Sequence, residues 1–455
     1  MVVVANRLPY SRGADGRLTV SPGGLVAALL PAIAGRDALW IGAHGSAIEE
    51  SIDRDGVRLV SVATNATEQA AFYDGFSNGT LWPLYHDAVR PPSYDASWWS
   101  AYLLVNQRFA ETTAQRAPPG ALVWVHDYQL QLVPAMLRSL RPDVRIGYFH
   151  HIPFPHADLF RQLPWRCEII AGIAGADVVG FQRRGDVTNF LTAASALCGL
   201  GVAESGDGSG QLTDGDRSVT VAAYPVPVDA TTFANRARRA SVAERARELR
   251  RALGSPQHLL LGIDRLDYTK GIDQRLSVIR SLFERGVLKP GRDVYLQVAV
   301  PSRGDTTGYA ELRSEVERRV GDINGEFARV GSAVVHYLHR SVAANELSAL
   351  YCAADIMLVT PFRDGMNLVA KEFVASRVDG GGQLVLSEFT GAADELPDAF
   401  LVNPHDTRSM EAAIEDALSA PDGGRDSMAA MRSGIVGQSP QQWASAFFHG
   451  LRRRS

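Results

Sequence analysis

The sequence predicts an α/β fold made of two domains, each wound around a mostly parallel sheet. Three observations carry this. Short runs rich in Val, Ile and Leu show little polar alternation, as strands buried on both faces do. Amphipathic helical stretches lie between those runs, and alternating β and α elements imply parallel sheets. The 455 residues are interrupted near Tyr224–Asp229, where Pro225 and Pro227 stiffen a connector, leaving two halves each large enough for one doubly wound domain.

In chain order the strand candidates are Val2–Ala5, Ala38–Ile41, Leu122–Val125, Arg145–Phe149 and Val178–Gly180 in the first half. Leu259–Ile263, Val294–Val300, Val334–Tyr337, Ile356–Val359 and Gln383–Ser387 follow in the second. Helical patterns include Leu130–Leu140, Asp273–Arg285, Tyr309–Val320 and Ala344–Cys352. Glu204–Arg217 is rich in Gly, Asp and Ser and reads as a loop or hairpin tip. The last pattern, Gln441–Leu451, sets Trp443, Phe447 and Phe448 on one side, a face that must pack on something.

Composition narrows the function classes. The chain is 46% hydrophobic and 21% charged with a net charge of −4, a globular balance that favours neither nucleic acid nor an anionic membrane as main partner. Cys167, Cys198 and Cys352 are far apart with no C-x-x-C pair, so neither a disulfide framework nor a cysteine zinc site is expected, and a reducing compartment fits. No signal peptide or membrane span is visible in the first residues, so a cytoplasmic location is expected. Of 46 basic residues only three are lysines, Lys270, Lys289 and Lys371. In so arginine-rich a chain each retained lysine is a candidate. Lys289 before Pro290 reads as surface.

Several common motifs are missing. There is no Walker-type phosphate loop, and Gly206, Gly208 and Gly210 lack the preceding strand that a dinucleotide fingerprint needs. Asp53-Arg54-Asp55 spells a metal-binding D-x-D but reads as a turn before Gly56. His150 and His151 are neighbours that a strand end points to opposite faces, and with His156 they make no metal site.

Chemistry gathers where strands end. Asp364-Gly365-Met366-Asn367-Leu368-Val369-Ala370-Lys371-Glu372 follows Ile356–Val359 and opens a helix, whose backbone N–H groups suit an anion; Glu372, further in, suits a ribose diol. Asp264 to Gly271 follows Leu259–Ile263 and offers Arg265 and Lys270 to a diphosphate. Val300-Pro301-Ser302-Arg303-Gly304-Asp305 ends a third strand. In the first half, Asn6-Arg7, the Trp124-Val125-His126-Asp127-Tyr128 stretch and Phe149-His150-His151-Ile152-Pro153 end three more. Polar groups at so many strand ends in both halves point to a cleft between the domains.

These stretches, ANRLP, PGGL, FSNGTLWPLYH, WVHDYQL, HIPFP, DRLDYTKG, PSRGD, RDGMNLVAKE and LSEFTGAADEL, resemble the trehalose-6-phosphate synthases over nearly the whole chain. The resemblance implies a retaining glycosyltransferase of GT-B type. Two Rossmann-like domains would span 1–226 and 227–438 and face a cleft, with a terminal helix, 439–455, returning to the first. It implies that Arg7, Trp40, Tyr73, Trp82, Asp127 and Arg303 serve the acceptor, glucose 6-phosphate. It implies that Gly23, Gly24, His151, Arg265, Lys270, Val342, Asp364, Gly365, Met366, Asn367, Leu368, Val369 and Glu372 serve a nucleotide-glucose donor. His151, Asp127, Arg265, Lys270 and Asp364 would carry the catalysis. UDP-glucose is the family default, with GDP- or ADP-glucose as alternatives. No metal or cofactor, no nucleic acid and no membrane are implied, and a homo-oligomer is compatible. Pro227 stands where the family commonly has Gly, and Val342 where an aromatic residue can occur. Alternatives are a related synthase with another acceptor, such as a glucosylglycerol-phosphate synthase, a nucleotide-sugar epimerase, and a non-catalytic sugar-phosphate sensor.

Two cations at Arg265 and Lys270, without a strand-anchored D-x-D, predict catalysis that needs no divalent ion. Activity should therefore survive exhaustive chelation; a loss restored by magnesium or manganese would contradict this.

Overall fold

The structure, a computed structural model, describes residues 1–12, 18–21, 24–33, 35–44, 53–54, 56–301, 307–420 and 424–452. Gly23 and Arg303, both assigned to the site from the sequence, lie outside the described residues, as do Asp55 and the rest of Ser302–Asp305. The chain divides into two compact units, Met1–Val226 with Pro440–Ser455, and Pro227–Ser439.

Among the described residues the first unit is built on a ten-stranded sheet. Val2–Arg7 lies inside it, parallel to Ala38–His44 on one side and to Leu122–His126 on the other. The parallel run continues through Arg145–Phe149 and Val178–Phe181 to Arg217–Ala223. Val2 to Ala5 are fully buried, which is why the run is apolar without alternation. The stretch read as a loop or hairpin tip contains a strand, Gly210–Asp214, paired antiparallel with both Gly201–Glu204 and Arg217–Ala223. Its signal is weak because only Leu212 turns inward while Thr213 is exposed.

A rarer element precedes the long helix Ala96–Arg116. The short helix Ala66–Gln69 runs on into a π-helix, Ala70–Leu81. Side chains adopt the same wide register: Ser77 Oγ donates to the Phe72 carbonyl at 2.8 Å and Asn78 Nδ2 to the Tyr73 carbonyl at 2.8 Å, each five residues back. Gly75, Asn78 and Gly79 are poor α-formers, and π-turns concentrate at functional sites.

The terminal helix Pro440–Arg452 packs on Arg145–Phe149 and Val178–Phe181. Trp443, Phe447, Phe448 and Leu451 are buried there. Phe447 stacks on Trp124 with centroids 4.9 Å apart, and Trp443 Nε1 donates to the Tyr224 carbonyl at 3.1 Å. Gly147 and Gly180 make room, since a Cβ on either would overlap the Phe447 ring.

The second unit holds six parallel strands in the order Val335–Leu338, Asp293–Val300, His258–Arg265, Ile356–Val359, Gln383–Ser387, Phe400–Val402. Read in chain order this is 3-2-1-4-5-6, the Rossmann arrangement. Two separate apolar clusters cover its two faces. The direction of winding reverses between His258–Arg265 and Ile356–Val359.

The expectation that no disulfide forms is overturned at one pair. Cys167 and Cys198 form a disulfide, with Cα atoms 5.5 Å apart. They sit on helices Arg166–Ala174 and Arg184–Cys198, which pack side by side, a proximity that a separation of 31 residues conceals. Among the described residues no helix is long and apolar enough to cross a membrane.

Phe447→Ala should lower the stability of the first unit by about 3–5 kcal/mol, because it empties a packed aromatic site. Urea unfolding followed by tryptophan fluorescence measures this; a change under 1 kcal/mol would show that the helix is not part of the core.

Candidate active site

Ligands of doubly wound sheets bind beyond the carboxyl ends of the strands, where winding reverses. In the second unit that place lies between Arg265, which ends its strand exposed, and Thr360, which follows Ile356–Val359. Asp267 shapes the first loop: its Oδ1 accepts from the Thr269 N–H at 3.0 Å and the Thr269 hydroxyl at 2.8 Å. Gly271, at φ +63°, then turns the chain into helix Ile272–Glu284.

Beneath both loops lies Arg275, wholly buried on that helix. Its guanidinium donates to Asp264 Oδ2 at 2.7 Å, Gln297 Oε1 at 2.9 Å, Thr360 Oγ1 at 3.1 Å and the Lys270 carbonyl at 3.2 Å. Burial opposes its charge, but the Asp264 carboxylate and Tyr295 together outweigh burial and hold the group protonated. One side chain thus ties the loop carrying Lys270 to the strand end leading to Asp364.

Those two sequence-assigned residues meet. Lys270 Nζ lies 2.6 Å from Asp364 Oδ2, both largely buried. Asn367 Nδ2 donates to the same oxygen at 3.0 Å. Asn367 has φ +69° and its Oδ1 caps the Ala370 N–H at 3.1 Å, opening helix Leu368–Ser376. Gly365 and Met366 are buried, and the Met366 carbonyl accepts from Ala392 N–H at 2.7 Å. Leu368, Val369 and Val342 are partly buried against the core. Glu372, one turn on, accepts from the Tyr351 hydroxyl at 2.8 Å, and burial pushes its carboxyl up to about 7. Lys371 points elsewhere, paired with Glu395 at 2.6 Å and buried, so this retained lysine braces the helix.

The first unit holds a cavity of about 780 Å³ whose walls include Arg7, Gln69, Tyr73, His126 and Asp127. The Arg7 guanidinium lies over the Tyr73 ring, 4.9 Å from its centroid, a cation–π contact. Trp40 is wholly buried and Trp82 nearly so, and neither is among the lining residues. Trp40 Nε1 donates to the Arg7 carbonyl at 3.0 Å. Gly24 opens helix Gly24–Ile33.

Asp127 has φ +76° and ψ 168°, a region that side-chain-bearing residues rarely occupy. Such strain survives only when the surroundings over-determine it. Here Asp127 N–H donates to the Phe149 carbonyl at 2.8 Å, while Oδ1 accepts from the His151 N–H at 3.2 Å. The following turn is pinned by buried side chains. Tyr102 OH donates to the Tyr128 carbonyl at 2.7 Å, Asn106 Nδ2 to the Gln129 carbonyl at 3.0 Å, and Tyr85 OH to Gln131 Oε1 at 2.7 Å. His151 Nε2 lies 3.0 Å from His126 Nδ1. Burial, aided by His150, pushes the His151 pKa down to about 3, so its ring is neutral. His150 turns away, bonded through Nδ1 to Tyr148 OH at 2.9 Å.

The family model for glycosyltransferase family 20 matches residues 1–453. This chain belongs to that family. It is 51% identical over 461 residues to a trehalose-6-phosphate synthase of Mycobacterium sp. strain JLS, covering 99% of this chain and 95% of that one. It superposes on an α,α-trehalose-phosphate synthase (UDP-forming) of Burkholderia xenovorans in complex with glucose-6-phosphate. There the TM-score is 0.92, with 30% identity over 99% of both chains. An E. coli trehalose-6-phosphate structure bound with UDP-2-fluoro glucose matches at TM-score 0.89 and 29% identity, over 100% of this chain and 99% of that one. The chain is therefore a glycosyltransferase with the α/β architecture of these relatives.

Sequence reasoning missed Arg275, Gln69 and His126. Arg275 had a signal: it falls on the apolar stripe of Ile272, Leu276 and Ile279, where a charge demands a buried partner. His126 adjoins Asp127 but offered no feature of its own. Arg275→Met would leave Asp264 buried and uncompensated, costing about 3–5 kcal/mol. Denaturant unfolding of the variant checks this, and a loss below 1 kcal/mol would contradict the hub role.

Proposed function

We propose that this glycosyltransferase moves glucose from a nucleotide-glucose, UDP-glucose first, to glucose 6-phosphate, giving trehalose 6-phosphate with retained anomeric configuration. The observation that carries the reading is the cluster at the second unit's winding reversal: Lys270, Asp364 and Asn367 in one hydrogen-bonded group, with Glu372 one turn on. A diphosphate drawn to Lys270 competes with Asp364. The carboxylate so released accepts hydrogen bonds from donor-sugar hydroxyls. Glu372 accepts from the ribose diol. The relatives bound to glucose-6-phosphate and to UDP-2-fluoro glucose support this choice of substrates.

Departure of the nucleoside diphosphate builds negative charge that Arg265 and Lys270 stabilise, the largest lever such a site has. The acceptor hydroxyl attacks the face the diphosphate leaves, through an oxocarbenium-like ion pair. The departing phosphate oxygen takes the hydroxyl proton, so no carboxylate nucleophile is required. In the first unit, Arg7 binds the acceptor phosphate beside Tyr73 while Asp127 accepts from a sugar hydroxyl. By its match to the family, Arg303 is also assigned to the acceptor phosphate.

Arginine–phosphate hydrogen bonds contribute about 1.5–3 kcal/mol each, so glucose should be a very poor acceptor. Arg303→Ala should weaken use of glucose 6-phosphate while leaving calorimetric binding of UDP-glucose nearly intact. Equal use of both acceptors, or lost nucleotide binding, would overturn the acceptor assignment.

Glu372 sets a pH dependence. Its carboxyl in the free protein titrates at about 7, and a bound diol favours the ionised form, so binding releases a proton below that pH. UDP-glucose should bind roughly tenfold tighter at pH 8 than at pH 6, and Glu372→Gln should flatten the profile. A wild-type profile as flat as the variant's would remove Glu372 from the ribose site.

A further inference from the structure

His126 is wholly buried and has no place in the chemistry above. Its Nδ1 faces His151 Nε2 at 3.0 Å, while its ring packs on Trp124 with centroids 4.4 Å apart. Burial, then His151, holds it neutral, so the pair is two neutral imidazoles sharing one proton between these nitrogens. Two arrangements satisfy that contact. In one, His151 Nε2–H donates and His126 carries its own proton on Nε2. In the other, His126 Nδ1–H donates and its Nε2 is a bare lone pair. His126 Nε2 is sealed and meets no hydrogen-bonding atom. An orphaned N–H donor is the rarer defect in protein interiors, and a lone pair tolerates the hydrogen-bearing edges of nearby rings. The second arrangement is therefore favoured.

We propose that His126 is a positioning residue: it donates from Nδ1 to His151 Nε2, locks the His151 ring, and fixes it as the Nδ1–H tautomer. His151, which is partly exposed, then offers the site a hydrogen-bond donor and not an acceptor. Its backbone is already tied to strained Asp127, so ring and main chain are fixed together. A neutral N–H there suits a sugar oxygen of the donor. The role of the pair in turnover rests on the glucosyl-transfer reading; the tautomer itself does not. Which ring nitrogen bears the proton is set by the partner of the other nitrogen.

The test has two arms. In the ligand-free wild type labelled with ¹⁵N-histidine, long-range ¹H–¹⁵N correlation, assigned with His151→Gln and His126→Asn, should show His151 protonated at Nδ1 and His126 at Nδ1. An Nε2–H or cationic His151 overturns the proposal, whatever the enzyme transfers. In kinetics, His126→Phe should lower kcat roughly 10–100-fold, the usual effect of losing an orienting partner, with a smaller change in KM for glucose 6-phosphate. His126→Asn, whose amide N–H can overlie Nδ1–H, should recover most of the loss. Equal kcat for His126→Phe and wild type, or no recovery with Asn, also overturns it. If His126→Phe does not fold, the wild-type spectrum and His126→Asn decide. A wild type with the expected tautomer but no glucosyl transfer would remove the functional reading and leave the tautomer standing.

Discussion

A parallel sheet covered on both faces leaves its strands no polar surface except their ends, and both units live under that constraint. Val2 to Ala5 are sealed, and the chain turns chemical at Asn6 and Arg7. Leu259 to Ile263 are sealed, and the chain turns chemical at Asp264 and Arg265. His126–Asp127, His151 and the Thr360–Asn367 loop repeat the pattern. Residues that must meet a ligand are confined to the one edge where backbone groups are unpaired and side chains can converge.

Strand ends are loops, and loops must be held if they are to bind precisely shaped ligands. Each unit solves this with buried polar side chains rather than more apolar contact. In the second, Arg275 bonds two loops and a strand end at once, and Asp264 makes its charge tolerable. In the first, Tyr85, Tyr102 and Asn106 fix the turn after Asp127, and its strained backbone persists because that turn and the bonds to Phe149 and His151 hold it. Networks of this kind are stabilising when fully satisfied and costly when broken.

The sheets were legible because periodicity and β-branched runs report burial directly. The clustering of candidate residues was legible where a motif names a residue type at a strand end, as with Lys270 and Asp364, which meet, and Glu372 on the helix that follows. What stayed hidden depends on through-space proximity. The disulfide needed two helices to lie side by side. The π-helix needed a register that no apolar spacing announces. The Trp40 indole bonds the Arg7 carbonyl from within the core, a contact that no motif announces. His126 sat beside Asp127 in the quoted motif, but only the fold brings it to His151.

The proposed reaction is retaining glucosyl transfer onto a sugar phosphate, carried by strand-end cations without a nucleophilic carboxylate. Proton NMR of a reaction containing UDP-glucose and glucose 6-phosphate tests it most directly. The expected product is a phosphorylated disaccharide with both anomeric protons in the α configuration, formed in step with UDP. A β-linked glucosyl unit, or UDP released with free glucose as the product, would contradict it.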